Sequence, residues 1–444
     1  MINKKTMIAA VAVFTILLPI LSSAVTIDLP ATGQTTSYSI DDDGYLQLGM
    51  PWPEPRFTDN GDGTVTDNLT GMMFLIDGNC FGTQTWQGAL DLIAELNLNP
   101  SQFSCQGYTA THNDWRLPNV NELESLVNAE ESNTAVWLNG RGFSNVQSSY
   151  YWSSTTFASS TSRAWRIFMP DGKIYYGDQD GYKIYSNSFV WPVRSGYETN
   201  PTTTSQAELW QTGQTTSYAI GDDGDLQKGV PWPSPRFTNN ADGTVTDNLT
   251  GLVWTQNANL AGNTKTWEDA LAYVIMMNAG IVENFGHRDW HLPNRKELHS
   301  LTDFAQTSPA LPPGHPFANV KAYYWSSTTY ALSTVKAWYV NMYFGYTDSN
   351  FYKSSSDFCY VWPVRLGVIS DSDNDGMSDD WEQQIVDAKP DDDITSIDDV
   401  NPNDDFDNDG YSNLIEYQKK TDPTDPLSHP SKAMPWIPLL LLDD

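Results

Sequence analysis

The chain has 444 residues, enough for two or three domains rather than one compact core. Its formal charge is −31, and 21 acids against 4 bases lie from Asp371 onward. Such an acidic surface repels phosphate backbones and argues against nucleic acid as a partner, whereas 13% aromatic content with little lysine and arginine describes a folded, Trp/Tyr-rich extracellular protein.

Lys4 and Lys5 precede an apolar run, Met7 to Leu21, that ends in Ser22-Ser23-Ala24. That order predicts a cleavable secretory signal over residues 1–24, with the mature chain starting near Val25. The run is shorter than the roughly 20 apolar residues of a spanning helix, and no cysteine follows it, so neither a membrane anchor nor a lipid anchor is expected there. The expected location is secreted, cell-surface or periplasmic, with no transmembrane span in the mature chain. Pro435 to Leu442 is a short, proline-broken apolar ending with no physical account.

Next comes a duplication. Thr35-Thr36-Ser37-Tyr38 returns as Thr215-Thr216-Ser217-Tyr218, and the string Asp62 to Gly71 returns unchanged as Asp242 to Gly251. The repeat length of about 170 to 180 residues is far beyond solenoid periods, so each copy is expected to be a domain, 32–195 and 212–366, joined by a linker over 196–211. Within a copy, Thr85 or Thr266 caps a helix whose stripe is Trp86, Ala89, Leu90, Ile93 or Trp267, Ala270, Leu271, Val274. A shorter helix opens at Asn119 or Asn294 with Glu122 or Glu297 in a capping box. Short aromatic strands follow, giving an α+β class. Cys80 and Cys105 bracket the first helix as a disulfide candidate, leaving Cys359 as a buried apolar filler.

The run Asp114 to Leu123, repeated as Asp289 to Leu298 with His291 for Arg116, is followed in each copy by Tyr-Tyr-Trp-Ser-Ser-Thr, an Ala-Trp strand and a closing Trp-Pro-Val-Arg. This combination resembles the Lcl C-terminal-like domain family, bacterial exported domains with relatives in collagen-like adhesins. The resemblance implies two tandem C-type-lectin-like domains, related in shape to formylglycine-generating enzymes and used for surface attachment. In the adhesin relatives the ligands include sulfated glycosaminoglycans, which this acidic chain is poorly suited to capture. Trp115, Trp290, Trp152, Trp325, Trp165 and Trp338 are expected to fill the cores.

Between the Ala-Trp strand and Trp-Pro-Val-Arg the copies diverge, yet Lys173 to Phe189 and Asn341 to Phe358 both stay rich in Tyr, Ser, Asn and Asp. A paratope uses those residue types. The candidate ligand-binding residues are Tyr175, Tyr176, Tyr182, Tyr185, Asn187, Asn341, Tyr343, Tyr346, Asp348, Asn350 and Tyr352, for an extracellular glycan or protein ligand; drift of a solvent-facing sheet after duplication explains the same divergence.

The tail, 371–426, carries two loops of the form D-x-D-x-D-G-x5-E: Asp371, Asp373, Asp375, Met377 (carbonyl), Asp379 and Glu382, then Asp405, Asp407, Asp409, Tyr411 (carbonyl), Asn413 and Glu416. Calcium, a hard cation taking six to eight oxygens, is the expected ion (Ca2+). With Asp-Pro-Thr-Asp-Pro from Asp422, these loops resemble thrombospondin type-3-like repeats of bacterial envelope proteins, a calcium-stiffened spacer or envelope anchor. Residues 427–444 have no assigned role. His112 and His287 lie two residues before Asp-Trp, but no nucleophile motif accompanies them, so no catalytic residue is expected. The leading expectation is a non-catalytic adhesion or ligand-binding protein; a structural envelope component and a formylglycine-generating-like enzyme are the alternatives.

Overall fold

The computed structural model describes residues 26–109, 112–177, 181–185, 187–195, 206–356, 358–367, 375, 377, 379–388, 394–419 and 421–428. The expected signal, 1–24, and the apolar ending lie outside them. Among the described residues no helix is long and apolar enough to cross a membrane.

Each copy is α+β and forms for local reasons. The helices Trp86–Leu98 and Trp267–Asn278 start where the Thr85 and Thr266 hydroxyls accept the Gly88 and Asp269 N–H groups at 3.0 Å, and they bury the expected stripes. The shorter helices Val120–Glu124 and Arg295–Ser300 open on complete capping boxes, Asn119 with Glu122 and Asn294 with Glu297. Phe57–Asp59, Thr64–Asp67, Met72–Leu75 and Val193–Ser195 make an antiparallel four-stranded sheet, matched by Phe237–Asn239, Thr244–Asp247, Val253–Thr255 and Val364–Arg365 in the second copy.

The shared signature serves this framework. Arg194 and Arg365 of Trp-Pro-Val-Arg pair with Asp114 at 2.6 Å and Asp289 at 2.8 Å. Arg116 pairs with the capping-box Glu122, and His291 reaches Glu297 at 2.9 Å in its place. The six signature tryptophans are all buried, and the indole N–H groups of Trp152 and Trp325 donate to backbone carbonyls of Gln84 and Lys265 at 2.8 and 2.9 Å. Burying the ring while satisfying its N–H is what a core Trp requires.

The diverged segments join the copies. One eight-stranded sheet runs Tyr323–Thr329, Ala337–Asn341, Tyr346–Asp348, Lys173–Tyr175, Ala164–Phe168, Tyr150–Thr156, Ser188–Phe189 and Thr83–Gln84. Its seam pairs Ile174 with Thr347 antiparallel, closed by Lys173–Asp348 at 3.1 Å. Behind it Phe157 stacks on Tyr176 at 4.1 Å, Phe344 packs edge-on against both, and Phe304 of the second copy enters the first copy's core against Trp165.

The stretch before each copy's first sheet reaches across to the other copy. Ile27 and Leu29 lie in the second copy's core. Gln34 exchanges two hydrogen bonds with the backbone of Thr329, and Gln214 does the same with Thr156. Asp43 accepts from Thr32 and Thr328 at 2.7 and 2.6 Å, and Asp223 from Thr212 and Thr155 at 2.6 and 2.7 Å. A lysine latches each arm: Lys183 Nζ lies 3.7 Å from the Trp86 ring centroid and 5.1 Å from that of Tyr218, and Lys353 sits likewise between Trp267 and Tyr38.

Burial pushes the Asp43 and Asp223 carboxyls up to about 7. The folded chain therefore keeps these protons to about pH 7, while an unfolded carboxyl of this type releases its proton near 3.8. Their stabilisation is complete below the lower value and falls as pH rises through the window, by at most about 1.4 kcal/mol per unit for each group. Tm is expected to fall between pH 5 and pH 8, and Asp43→Asn with Asp223→Asn to flatten that dependence by raising Tm at pH 8. Parallel Tm curves for the parent and the double variant would refute the assignment.

The two short helices face each other across the same boundary. Glu124 is buried against Lys296 at 2.7 Å and Arg295 at 3.2 Å, and Asn121 meets His299 at 3.0 Å. Asn121 and Glu124 occupy the positions of Lys296 and His299 in the other copy, so the contacts are related by pseudo-twofold symmetry while their charges are not. Pairing two first copies would bury a carboxylate without its cations, and pairing two second copies would bury lysine against histidine. The asymmetry selects the unlike pair.

Candidate functional site

The tail folds around Met377, Ile385 and Val400, with Trp381 edge-on to Tyr417 at 5.6 Å. Its helices, Asp379–Ala388 and Asn413–Lys419, lead out of the two acidic loops. In the second loop the Asp409 and Gly410 N–H groups bond to Asp405, and the Tyr411 N–H to Asp409 at 2.8 Å. Gly410 takes φ +98°, the turn for which loop position six uses glycine. These bonds curl the chain so that one oxygen each of Asp405, Asp407 and Asp409 lies within 4.8 Å of the others, close enough to share one centre about 2.4 Å from each.

Glu416 enters from the helix and is fully buried, and Asp407 Oδ2, Asp409 Oδ2 and Glu416 Oε2 are buried without a hydrogen-bond donor. Burial first, then the charges of Asp407, Asp409 and Asp405, push the Glu416 carboxyl up to about 7. Three grouped aspartates with a buried glutamate beside them, three of whose oxygens lack a donor, fit a hard divalent cation held by oxygen. Asp405, Asp407, Asp409 and Glu416 would hold it, with the Tyr411 carbonyl at position seven.

Asn413 departs from expectation. Its side chain donates to the Asn401 carbonyl at 2.9 Å and accepts from the Phe406 N–H at 3.3 Å, so it braces the loop rather than supplying an oxygen. In the first loop Asp371, Asp373 and the Asp379 side chain lie outside the described residues. What is described matches the second loop: the Met377 N–H bonds to Asp375 at 2.9 Å, and Glu382 is fully buried.

The eleven candidate ligand residues fall into three positions. Tyr175, Tyr176, Tyr346 and Asp348 lie at the seam, where Asp348 is buried on Lys173 and bonded by Asn350 at 2.6 Å. Asn341 is buried and caps the N–H groups of Tyr343 and Phe344. Asn341 and Asp348 therefore leave the expected outward face, because the seam and a hairpin turn consume their polar atoms. Tyr185, Tyr343 and Tyr352 are 47%, 45% and 56% exposed and, with the exposed Asn350, form the open part of the set; Tyr182 is half-buried under Arg163, and Asn187 is half-buried beside Ser188.

Cys80 and Cys105 are bonded, with Cα atoms 5.1 Å apart, and Cys359 is buried in the second copy's core. His112 lies 4.0 Å from Asp62 and edge-on to Trp115; His287 packs the same way on Trp290. No serine, cysteine or lysine lines the cleft around His287 among the described residues. The latch lysines were missed by sequence reasoning, although the Tyr-Lys dipeptides at Tyr182 and Tyr352 were a signal that the diverged segments keep one position in common.

The model of the Lcl C-terminal domain matches residues 63–194 and 243–365, and that of the bacterial TSP3 repeat, a calcium-binding type, matches 371–385 and 405–426. No curated protein matches the chain. The two Lcl matches span more than half of its length and coincide with the duplicated framework, and this chain therefore belongs to the Lcl C-terminal domain family, carrying the domain twice ahead of bacterial TSP3 repeats.

Proposed function

We propose that this is an exported, non-catalytic ligand-binding or adhesion protein in which two C-type-lectin-like domains, acting as one rigid unit, are carried on a calcium-stiffened tail. The observation that supports this most is the contrast within the diverged segments. Their seam strands are committed to holding the copies together, while Tyr185, Tyr343 and Tyr352 stand exposed on the connecting turns of that rigid sheet. Exposed tyrosines on a fixed scaffold offer amphipathic contact area at small entropic cost, suited to an extracellular glycan or protein. The TSP3 repeats support an extracellular setting and a spacer or anchoring role for the tail.

Glycan and cell-surface protein arrays probed with the calcium-loaded protein test the reading. Saturable binding weakened about tenfold or more by Tyr343→Ala with Tyr352→Ala is the expected result. Silence on every array, with calcium-dependent oligomers instead, would favour a structural envelope component. That second reading has one observation behind it, since part of the divergence already serves pairing between copies.

A further inference from the structure

We propose that the first copy carries a saccharide subsite in the cleft beside the Trp52–Trp137 pair, built for neutral, hydroxyl-rich pyranose units; the inference deepens the ligand-binding reading and rests on it. A cleft of about 400 Å3 opens there, within the range of small-molecule sites, walled by Trp52, Glu54, Arg56, Glu131, Trp137 and Arg141. The two indoles lie 5.6 Å apart at 41°, and both remain partly exposed. Trp52 is held before any ligand arrives: its N–H donates to the Ala31 carbonyl at 2.9 Å, and the Arg56 guanidinium lies 4.0 Å from its ring centroid. Glu54 and Glu131 accept no hydrogen bond from any described residue, whereas Glu130 behind them is used by the Thr35 and Thr36 N–H groups at 2.9 and 3.0 Å.

The second copy is an internal control. Trp232 there repeats the packing of Trp52, donating to the Gln211 carbonyl at 2.8 Å beneath Arg236. Yet Leu311-Pro312-Pro313-Gly314 stands where the first copy has Val136 to Gly140, and Ser234, Ala305 and Gln306 replace Glu54, Glu130 and Glu131. The fold is complete without the second indole, Glu54 and Glu131, so a purely structural need does not explain these three.

The chemistry narrows the ligand. The Trp52 ring already carries Arg56, and Arg141 lies 5.9 Å from the Trp137 centroid, which disfavours a cationic guest. The carboxylates disfavour a sulfated one. A pyranose suits what is left, because its C–H face stacks on an indole while its hydroxyls donate to Glu54 and Glu131 and accept from Arg141.

Tryptophan fluorescence and calorimetry on the full chain test this, with xylo-, cello-, malto- and chito-oligosaccharides as probes and heparin and choline as charged controls. Saturable binding of a neutral oligosaccharide is expected, weakened about tenfold or more by Trp137→Ala and less by Glu131→Gln. Glu54→Gln with Glu131→Gln supplies the reading if Trp137→Ala misfolds. Binding that survives these variants, or that is confined to heparin or choline, overturns the subsite. Sugar binding lost only in the tyrosine variants, or a protein ligand captured with no sugar bound, overturns the cleft and leaves the ligand-binding reading standing; silence of every probe and array overturns both.

Discussion

Replacing Glu124 by alanine is expected to destabilise the folded unit by about 3–5 kcal/mol, the cost of leaving buried cations without their counter-ion. Burial alone would raise the Glu124 pKa, but Lys296, Arg295 and His299 opposite hold it below the ordinary carboxylate value. Removing it leaves Lys296 with one carbonyl partner, that of Glu124 at 3.2 Å, and Arg295 with the Gly172 carbonyl at 2.8 Å and the Trp338 ring. Urea unfolding of the parent and of Glu124→Ala gives the difference directly. Lys296→Met with Glu124→Leu is expected to recover only the share of the loss that belongs to Lys296, since Arg295 keeps its buried charge and still lacks the carboxylate. A cost under about 1 kcal/mol for Glu124→Ala would mean that water reaches the site, and that the unlike charges do not set the pairing of the copies.

Chelation is expected to act on the tail alone. The second loop gathers carboxylates whose mutual repulsion opposes folding until a cation neutralises it, and the apolar core of the tail is small, Met377, Ile385 and Val400 with their neighbours. At a hundredfold excess over Kd, calcium stabilises each site by about 2.7 kcal/mol. With EDTA, limited proteolysis should cut within 367–428 while the body stays intact, and calcium should suppress those cuts. Glu416→Gln is expected to weaken calcium binding at the second loop by at least about tenfold, because it removes one of the converging carboxylate charges. Cleavage that ignores calcium, or a body Tm that follows calcium as closely as the tail does, would contradict this division.

Much of this molecule is legible along the chain, for a physical reason. A helix stripe, a capping box and a twelve-residue acidic loop are set by contacts a few residues apart, so Thr85, Asn119, Asn294 and the Asp405 loop could be placed from spacing alone. The repeated string and the closing Trp-Pro-Val-Arg likewise marked two copies of one framework. Asn413 shows the limit of spacing: position nine of the loop was readable, but whether its amide faces the cation site or the backbone beside it depends on Asn401 and Phe406.

What only the tertiary structure decided joins residues far apart. Gln34 meets Thr329, Asp43 meets Thr328, and Lys296 meets Glu124 across 295, 285 and 172 positions, and no periodicity connects such partners. The divergence of the two Tyr-rich segments was visible in the sequence, but its division between a seam and exposed turns was not. A strand's residues alternate between faces by rule, whereas the edge it pairs with is chosen by the rest of the fold. The sequence alone therefore determined the framework of each copy and the cation loops, and the packing of one copy on the other determined which of the remaining side chains are left facing outward.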